Sequence, residues 1–237
     1  MKIAVALLAL WAGSAEGACR QALALGLDVS GSVDATEYRL QLDGLATALA
    51  SDAVQQVLFA QEAAPIDITV YEWSGPNDQI IVLPWTTIAN NDDLTRVQFI
   101  LTTHQRQELD LTTAIGSALL FGFDLLEQRA HCWKRTLDIS GDGTANTGPR
   151  PQDSPVSATP SGVVVNALIV ATSTGAHDRR QAEIKELSSY FRANVIRGPD
   201  AFVETALGFS DYTQAMERKL LRELQSIALS GLAVVDQ

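Results

Sequence analysis

Apolar and polar residues follow one another along this chain in blocks that predict strands and helices in alternation. Residues 22–28 form an apolar run that ends at Asp28, and such a run is typical of a strand buried on both faces of a sheet. The segment "DATE" follows, with Asp34 as N-cap and Glu37 three residues later, which is a capping-box pattern. Apolar residues at helical spacing come next and predict a helix.

The rest of the chain continues this alternation. Two strands joined by the turn "GPND" predict a hairpin at 66–75 and 79–88. Further strands are predicted at 135–140, 162–172 and 201–207, and further helices at 92–105, 113–128, 178–193 and 210–224. This order favours an α/β fold with a doubly wound, mostly parallel sheet, helices on both faces and one antiparallel edge hairpin.

Size and charge narrow the class of protein. The chain has 237 residues, 46% of them hydrophobic and 19% charged, which suits a single globular α/β domain. The formal net charge is −11, with acidic residues spread along the chain. Nucleic acid and anionic membrane surfaces are therefore poor partners, because either would need basic patches.

The N-terminus predicts export. Lys2 precedes the apolar stretch "IAVALLALWA", which is too short to span a bilayer, and small residues follow in "GSAEGA". We therefore expect a signal peptide at 1–18, one domain at 19–226 and a C-terminal tail at 227–237, in a periplasmic or extracellular protein without a membrane span. A lipid on Cys19 is disfavoured because Glu16 stands where a lipobox has an aliphatic residue.

Polar side chains follow two predicted strands where ligands bind to parallel sheets, at their carboxyl ends. Asp28, Ser30 and Ser32 are spaced by two, so an extended segment would point all three in one direction. Asp142 follows the strand in "LDISGDGTAN", and "LDLTTAIGSALLFG" places two threonines at a predicted helix start. Such an all-oxygen set suits a hard cation, and its few carboxylates favour Mg²⁺ over Ca²⁺.

The pattern from Leu23 to Leu224 resembles the von Willebrand factor type A (VWA) family, whose metal-ion-dependent adhesion site (MIDAS) combines a D-x-S-x-S loop, a threonine loop and an aspartate before glycine. The matching segments are "DVSGS", "TAIGSAL" and "ISGDG", and the spacing of the second selects Thr113 over Thr112. "IDITVYEWSG", "DISGDG" and "RGPDAFVE" more narrowly resemble an uncharacterised secreted bacterial branch. The ligands implied by the resemblance are Asp28, Ser30, Ser32, Thr113 and Asp142.

The resemblance also implies roles for these residues. In the family the serines and the threonine touch the metal, the aspartates act largely through bound water, and an acidic residue of a partner completes the metal's shell. We therefore expect a secreted, adhesion-type protein-binding module that holds Mg²⁺, with Mn²⁺ or Ca²⁺ as alternatives. Its partner would be a protein that offers an acidic residue.

The resemblance sharpens the interpretation of the two cysteines. Two cysteines in an exported chain favour one disulfide, although two unpaired buried thiols remain the alternative. In the family, the strand that carries the first aspartate lies parallel to the strand that carries the second. Cys19 lies nine residues before Asp28 and Cys132 lies ten before Asp142, so both cysteines would meet at the sheet edge opposite the metal.

Other functions have weaker support. A hydrolase that uses the same metal to activate water is one alternative, and a scaffold that binds no metal is another. An EF-hand at "DISGDG" fails because Pro149 stands where a bidentate glutamate is needed. Glu72 ends a strand but has no paired acid in the sequence, so no catalytic residue is assigned. The Pro-rich segment 144–162, where most family members place a helix, shows no helical pattern.

Overall fold

The computed structural model describes residues 18–153, 156–172 and 177–232, with side chains except at 177 and 225–232. The strands are β1 Gln21–Asp28, β2 Ile66–Trp73, β3 Gln79–Ile88, β4 Lys134–Gly141, β5 Val163–Val170 and β6 Val203–Ala206. The helices are α1 Ala35–Leu49, α2 Asp52–Leu58, α3 Asn91–Thr103, α4 Ile115–Glu127, α5 His177–Asn194 and α6 Tyr212–Leu232. A short 3₁₀ turn, Phe209–Asp211, precedes α6.

The six strands form one sheet in the order β3-β2-β1-β4-β5-β6. Neighbouring strands are parallel except for the hairpin of β2 and β3, which lies at one edge. The chain continues from β1 to β2 on one side and reaches β4 on the other, so strand order reverses beside β1. This topology confirms the predicted α/β class, and in sheets of this kind ligands generally bind at the carboxyl ends of the strands where the order reverses, which here is the end of β1.

Strand β1 is buried along its whole length because helices cover both faces of the sheet. Leu23, Leu25 and Leu27 pack on one side in a core cluster shared with α1, α3 and α6. Ala22 and Ala24 face the other side, where α4 and α5 pack. The period of two along a strand thus divides one apolar run between two cores.

Helix α1 begins with the predicted capping box. The side chain of Asp34 accepts hydrogen bonds from the backbone N–H groups of Thr36 and Glu37, and the Glu37 carboxylate accepts one from the backbone of Asp34. An N-cap of this kind contributes about 1 kcal/mol. It fixes where the loop after β1 ends, and that loop carries Ser30 and Ser32.

Several predicted boundaries differ from the structure. Helix α4 begins at Ile115, so Thr113 lies in the preceding loop, and Ala114 at the N-cap makes no side-chain capping bond. Helix α2 was not predicted, and α6 continues to Leu232, within the segment predicted as a tail. The predicted signal peptide, apart from Ala18, lies outside the described residues. Among the described helices, none combines the length and apolar character needed to cross a bilayer.

The crossover between β4 and β5 contains no helix in its described part, as predicted. Its middle part is anchored to the domain by Arg197 and by helix α4. The guanidinium of Arg197 donates to the carbonyl oxygens of Pro151 and Val156, and the side chain of Val156 is fully buried. On the other side, the carbonyl of Pro149 packs against Gly116 of α4.

A disulfide joins Cys19 and Cys132 across a sequence separation of 113 residues, with the Cα atoms 4.6 Å apart. The ladder between β1 and β4 pairs Gln21 with Lys134. The same offset sets the two cysteines opposite each other at the amino ends of the strands. The pairing implied by the family resemblance is therefore present, and within the described residues no cysteine is free.

Candidate metal centre

Asp28 is the last residue of β1, and its carboxylate shapes the loop that follows. The backbone N–H of Ser30 donates to Oδ1 of Asp28 at 2.8 Å, which turns the chain back over the strand end. Asp28 and Ser30 are both buried, whereas Ser32 is exposed. The loop therefore leads from the sheet to the surface.

Groups from two other parts of the chain hold this loop in place. Arg106 donates to the carbonyl oxygens of Val33 at 2.6 Å and Val29 at 2.8 Å, and more weakly to that of Ser30. The N–H of Gly31 donates to the carbonyl of Leu111 at 2.9 Å. The positions of the loop hydroxyl groups are thus set before any ligand arrives.

A chain of polar groups links the first predicted element to the third. The hydroxyl of Ser32 donates to Oδ1 of Asp142 at 2.7 Å, and its oxygen lies 3.3 Å from the hydroxyl of Ser30. Asp142 follows β4, the strand adjacent to β1. The structure therefore brings Asp28, Ser30, Ser32 and Asp142 together at one edge of the sheet, as the sequence predicted.

Thr113 is tied to the same edge by a residue that the sequence analysis did not single out. Its N–H donates to the side-chain oxygen of Asn146 at 2.8 Å, and the N–H of Asn146 donates to the carbonyl of Thr113 at 3.0 Å. Asn146 lies four residues after Asp142, so this reciprocal pair joins the threonine loop to the aspartate loop. Asn146 is the last residue of "GDGTAN", but asparagine is so frequent in turns that the sequence alone does not mark it as a residue of the site.

The electrostatics of the site are those of a buried pair of acids. Burial, and after it the nearby Asp142 carboxylate, raise the pKa of Asp28 to about 7 against the opposing effect of the hydrogen bonds from Ser30. Burial also raises the pKa of Asp142, against the hydrogen bond from Ser32. Among the described residues, no lysine or arginine forms an ion pair with either aspartate.

These groups fit a divalent cation. Oδ2 of Asp28 and Oδ2 of Asp142 are buried and accept no hydrogen bond from the described part of the chain. Gly141 leaves space beside Oδ2 of Asp28, because a β-carbon at position 141 would lie 3.3 Å from that oxygen. A bound cation would offset the mutual repulsion of two carboxylates that form no ion pair with a lysine or arginine of the described ranges.

Thr112 competes with Thr113 for the role of ligand. Its hydroxyl oxygen is buried without a hydrogen-bond partner among the described residues. The backbone N–H of Thr112 is bound by Asp110 at 2.9 Å. The choice of Thr113 stays a prediction that follows from the family spacing.

Glu72, the residue considered for catalysis, is sealed beneath the site. Its side chain is fully buried at the end of β2 and accepts a hydrogen bond of 2.6 Å from the hydroxyl of Tyr38. Nε2 of His104, a partly buried side chain, lies 3.4 Å from the same carboxylate. A carboxylate enclosed in this way has no access to a substrate at the sheet edge.

Comparisons with known proteins identify the family of this chain and solved structures that share its fold. The family model described as "protein of unknown function (DUF1194)" matches residues 18–228. The chain belongs to the DUF1194 family. A comparison with curated proteins found no match.

Solved structures with the fold of this DUF1194 chain include proximal thread matrix protein 1 (PTMP1) from the mussel byssus, with 15% identity and a TM-score of 0.58 over 89% of this chain and 49% of that one. A von Willebrand factor type A protein from Catenulispora acidiphila matches with 12% identity and a TM-score of 0.56, over 87% of this chain and 43% of that one. The pilus adhesin SpaC from Lactobacillus rhamnosus GG matches with 14% identity and a TM-score of 0.55, over 90% and 30%.

The DUF1194 chain thus has the VWA fold, as the sequence motifs predicted. It spans about half the length of PTMP1 and less of the other two proteins. One PTMP1 structure is described as having a zinc-occupied MIDAS motif. PTMP1 is named as a matrix protein and SpaC as a pilus adhesin.

Proposed function

We propose that this chain is an exported, metal-dependent protein-binding module of the adhesion type. The observation that carries the proposal is the pair of buried carboxylates of Asp28 and Asp142. Each has one oxygen that accepts no hydrogen bond from any described residue. The proposed ligands are Asp28, Ser30, Ser32, Thr113 and Asp142. We propose Mg²⁺ as the ion because every donor is a hard oxygen.

The chain's own residues determine what such a site does. Asp28 and Asp142 supply the negative charge, while the exposed Ser32 brings the site to the surface. When bound, the cation supplies positive charge to which a partner's carboxylate binds. Leu111 is 71% exposed beside the loop, and it would add apolar contact to a protein partner.

The disulfide and the solved structures with the same fold support the proposal that this protein is exported. Disulfides persist in oxidising compartments, which fits an exported protein. The signal peptide at 1–18 remains part of the proposal, as does the acidic residue of the partner.

Calorimetric titration of Mg²⁺ and Mn²⁺ into the full chain tests the metal site, in buffer without carboxylates. We expect the wild-type protein to bind one ion and Asp28→Ala to bind none, because the variant loses the central buried carboxylate. Thr113→Ala should weaken binding at least tenfold, whereas the matched variant Thr112→Ala should leave it within about twofold. The reverse order would reassign the threonine ligand, and a wild-type protein without affinity would favour the scaffold.

The partner's chemistry is tested with Mn²⁺ in the site. Acetate should displace metal-bound water and lower the relaxation of solvent protons, while the neutral isostere acetamide should have no effect. Equal effects of the two compounds would contradict a site that selects a carboxylate.

A further inference from the structure

A second set of metal-binding side chains lies at the opposite end of the sheet. One ligand atom from each of Cys19, Asp67, His131 and Cys132 lies within 4.8 Å of the others. The cysteines lie before β1 and β4, Asp67 is in β2, and His131 follows α4. These four residues lie at the amino-end edge of the sheet. The proposed Mg²⁺ site, called the oxygen site below, lies at the opposite edge, where the strands have their carboxyl ends.

We propose that the reduced chain binds Zn²⁺ through Cys19, Cys132, His131 and Asp67, and that this zinc site and the disulfide exclude each other. In the oxidised protein the two sulfurs are bonded to each other and are not ligands. Before the disulfide forms, or after a dithiol or phosphine reduces it, each sulfur carries a proton. Zinc binding then releases both thiol protons and forms two zinc–sulfur bonds.

The distances suit a tetrahedral ion. Zinc lies about 2.3 Å from thiolate sulfur and about 2.0 Å from imidazole nitrogen or carboxylate oxygen, so its ligands stand about 3.3–3.8 Å apart. Nε2 of His131 is already 3.9 Å from Sγ of Cys132. Moving the remaining atoms by about 1 Å through side-chain rotation completes the set.

The surroundings provide support and access. Nε of Arg129 donates to one oxygen of Asp67 at 2.9 Å, and the hydroxyl of Thr87 donates to the other at 2.6 Å. A carboxylate has about four acceptor sites, so it keeps room for a metal while these donors orient it. A cleft of about 370 Å³ reaches Cys19, Asp67 and the exposed His131, which gives the ion a route from solvent.

The donor types separate this site from the oxygen site. Two thiolates and an imidazole are softer than hydroxyl and carboxylate groups, and they select zinc over magnesium. The inference does not depend on the proposed function, because it uses other residues and another ion.

The test uses the full chain with the substitution Asp28→Ala, which prevents metal binding at the oxygen site. All metal is removed from the protein before the titration. Zinc is titrated against a chromophoric chelator in the oxidised protein and in protein reduced with a phosphine. We expect the reduced form to bind one more zinc ion than the oxidised form. Co²⁺ in place of zinc should give a thiolate charge-transfer band only in the reduced form.

Variants that leave the cysteines intact keep the test specific. His131→Ala and Asp67→Asn should each weaken zinc binding at least tenfold in the reduced form. Asp124→Asn, an exposed acid on α4, is the matched control and should leave the affinity unchanged. Equal zinc binding by the oxidised and reduced forms, or an affinity insensitive to His131→Ala, would overturn the proposal.

Circular dichroism covers the case in which reduction unfolds the chain. Zinc should then restore the native spectrum of the reduced protein but not that of the His131→Ala variant. Failure of zinc to refold the protein with His131 intact would also overturn the site.

Discussion

Arg106 holds the loop after Asp28 through carbonyl oxygens, and nothing in the sequence around it signals this role. Its acceptors lie 73 to 77 residues earlier in the chain and are backbone groups, which every residue type possesses. A single sequence therefore does not distinguish this arginine from one at the surface. Asp28, Ser30 and Ser32 were predictable because their side chains and their spacing carry the chemistry.

Asp138 lies in the middle of β4 within a buried group of charges. Nζ of Lys219 is 2.5 Å from Asp138 and 2.6 Å from Glu223, and all three side chains are fully buried. Burial raises the pKa of Asp138 to about 7, with Lys219 opposing and Glu223 adding to the shift. Lys219 faces both acids, and Lys134 also lies near Glu223, where its Nζ donates to the Glu223 carbonyl oxygen at 3.1 Å.

This pKa predicts the pH dependence of stability. A carboxyl with a pKa of about 7 when folded and about 3.9 when unfolded binds a proton more tightly in the native state, so stability falls as pH rises through that window. Asp138→Asn removes this titrating carboxyl while keeping a side chain of similar size. We expect the free energy of unfolding of the wild type to fall relative to this variant between about pH 4 and pH 7.

Urea denaturation in the presence of a chelator measures this difference. The exposed Asp124→Asn serves as the control for a lost carboxylate elsewhere and should follow the wild type. If the wild type and Asp138→Asn differ by the same amount at every pH, Asp138 is already ionised through its pairing with Lys219.

At the scale of elements, periodicity predicted the six strands and most helices because burial on a sheet or along a helix face repeats regularly. Helix α2 is short and buries only Val54 and Leu58, which is too few positions to form a pattern. The start of α4 was misplaced because threonine is a common cap, whereas the backbone of Thr113 pairs with Asn146. Helix ends depend on such tertiary partners.

The contact between α4 and the crossover makes a specific prediction. A β-carbon at Gly116 would lie 1.9 Å from the carbonyl oxygen of Pro149, so Gly116→Ala must displace the crossover or the helix. Alanine gains about 1 kcal/mol in helix propensity, but overpacking of this kind costs about 1–3 kcal/mol. We expect a net loss of stability.

The control for this variant is Gly143→Ala, where an added β-carbon meets nothing within 4 Å. Urea midpoints of the two variants should separate clearly, with Gly116→Ala the lower. A Gly116→Ala protein as stable as the wild type would show that the crossover yields without strain.

At the scale of the whole molecule, the disulfide closes a loop of 113 residues that contains β1 to β3 and α1 to α4. In the chain-entropy account, such a cross-link stabilises the fold by about 5 kcal/mol because it restricts the unfolded chain. We expect Cys19→Ala combined with Cys132→Ala to lower the free energy of unfolding by about this amount. Urea denaturation with a chelator present measures it, and an unchanged midpoint would contradict the account.

The ladder between β1 and β4 carries the cross-link at one end and the aspartates at the other. The offset that pairs Leu27 with Ser140 sets Asp28 beside Gly141, one residue before Asp142. A slip by one residue would move Asp28 about 3.3 Å along the ladder and turn its side chain to the opposite face. The disulfide between Cys19 and Cys132 prevents this slip. It therefore fixes the relative positions of the Asp28 and Asp142 carboxylates at the other end of the two strands.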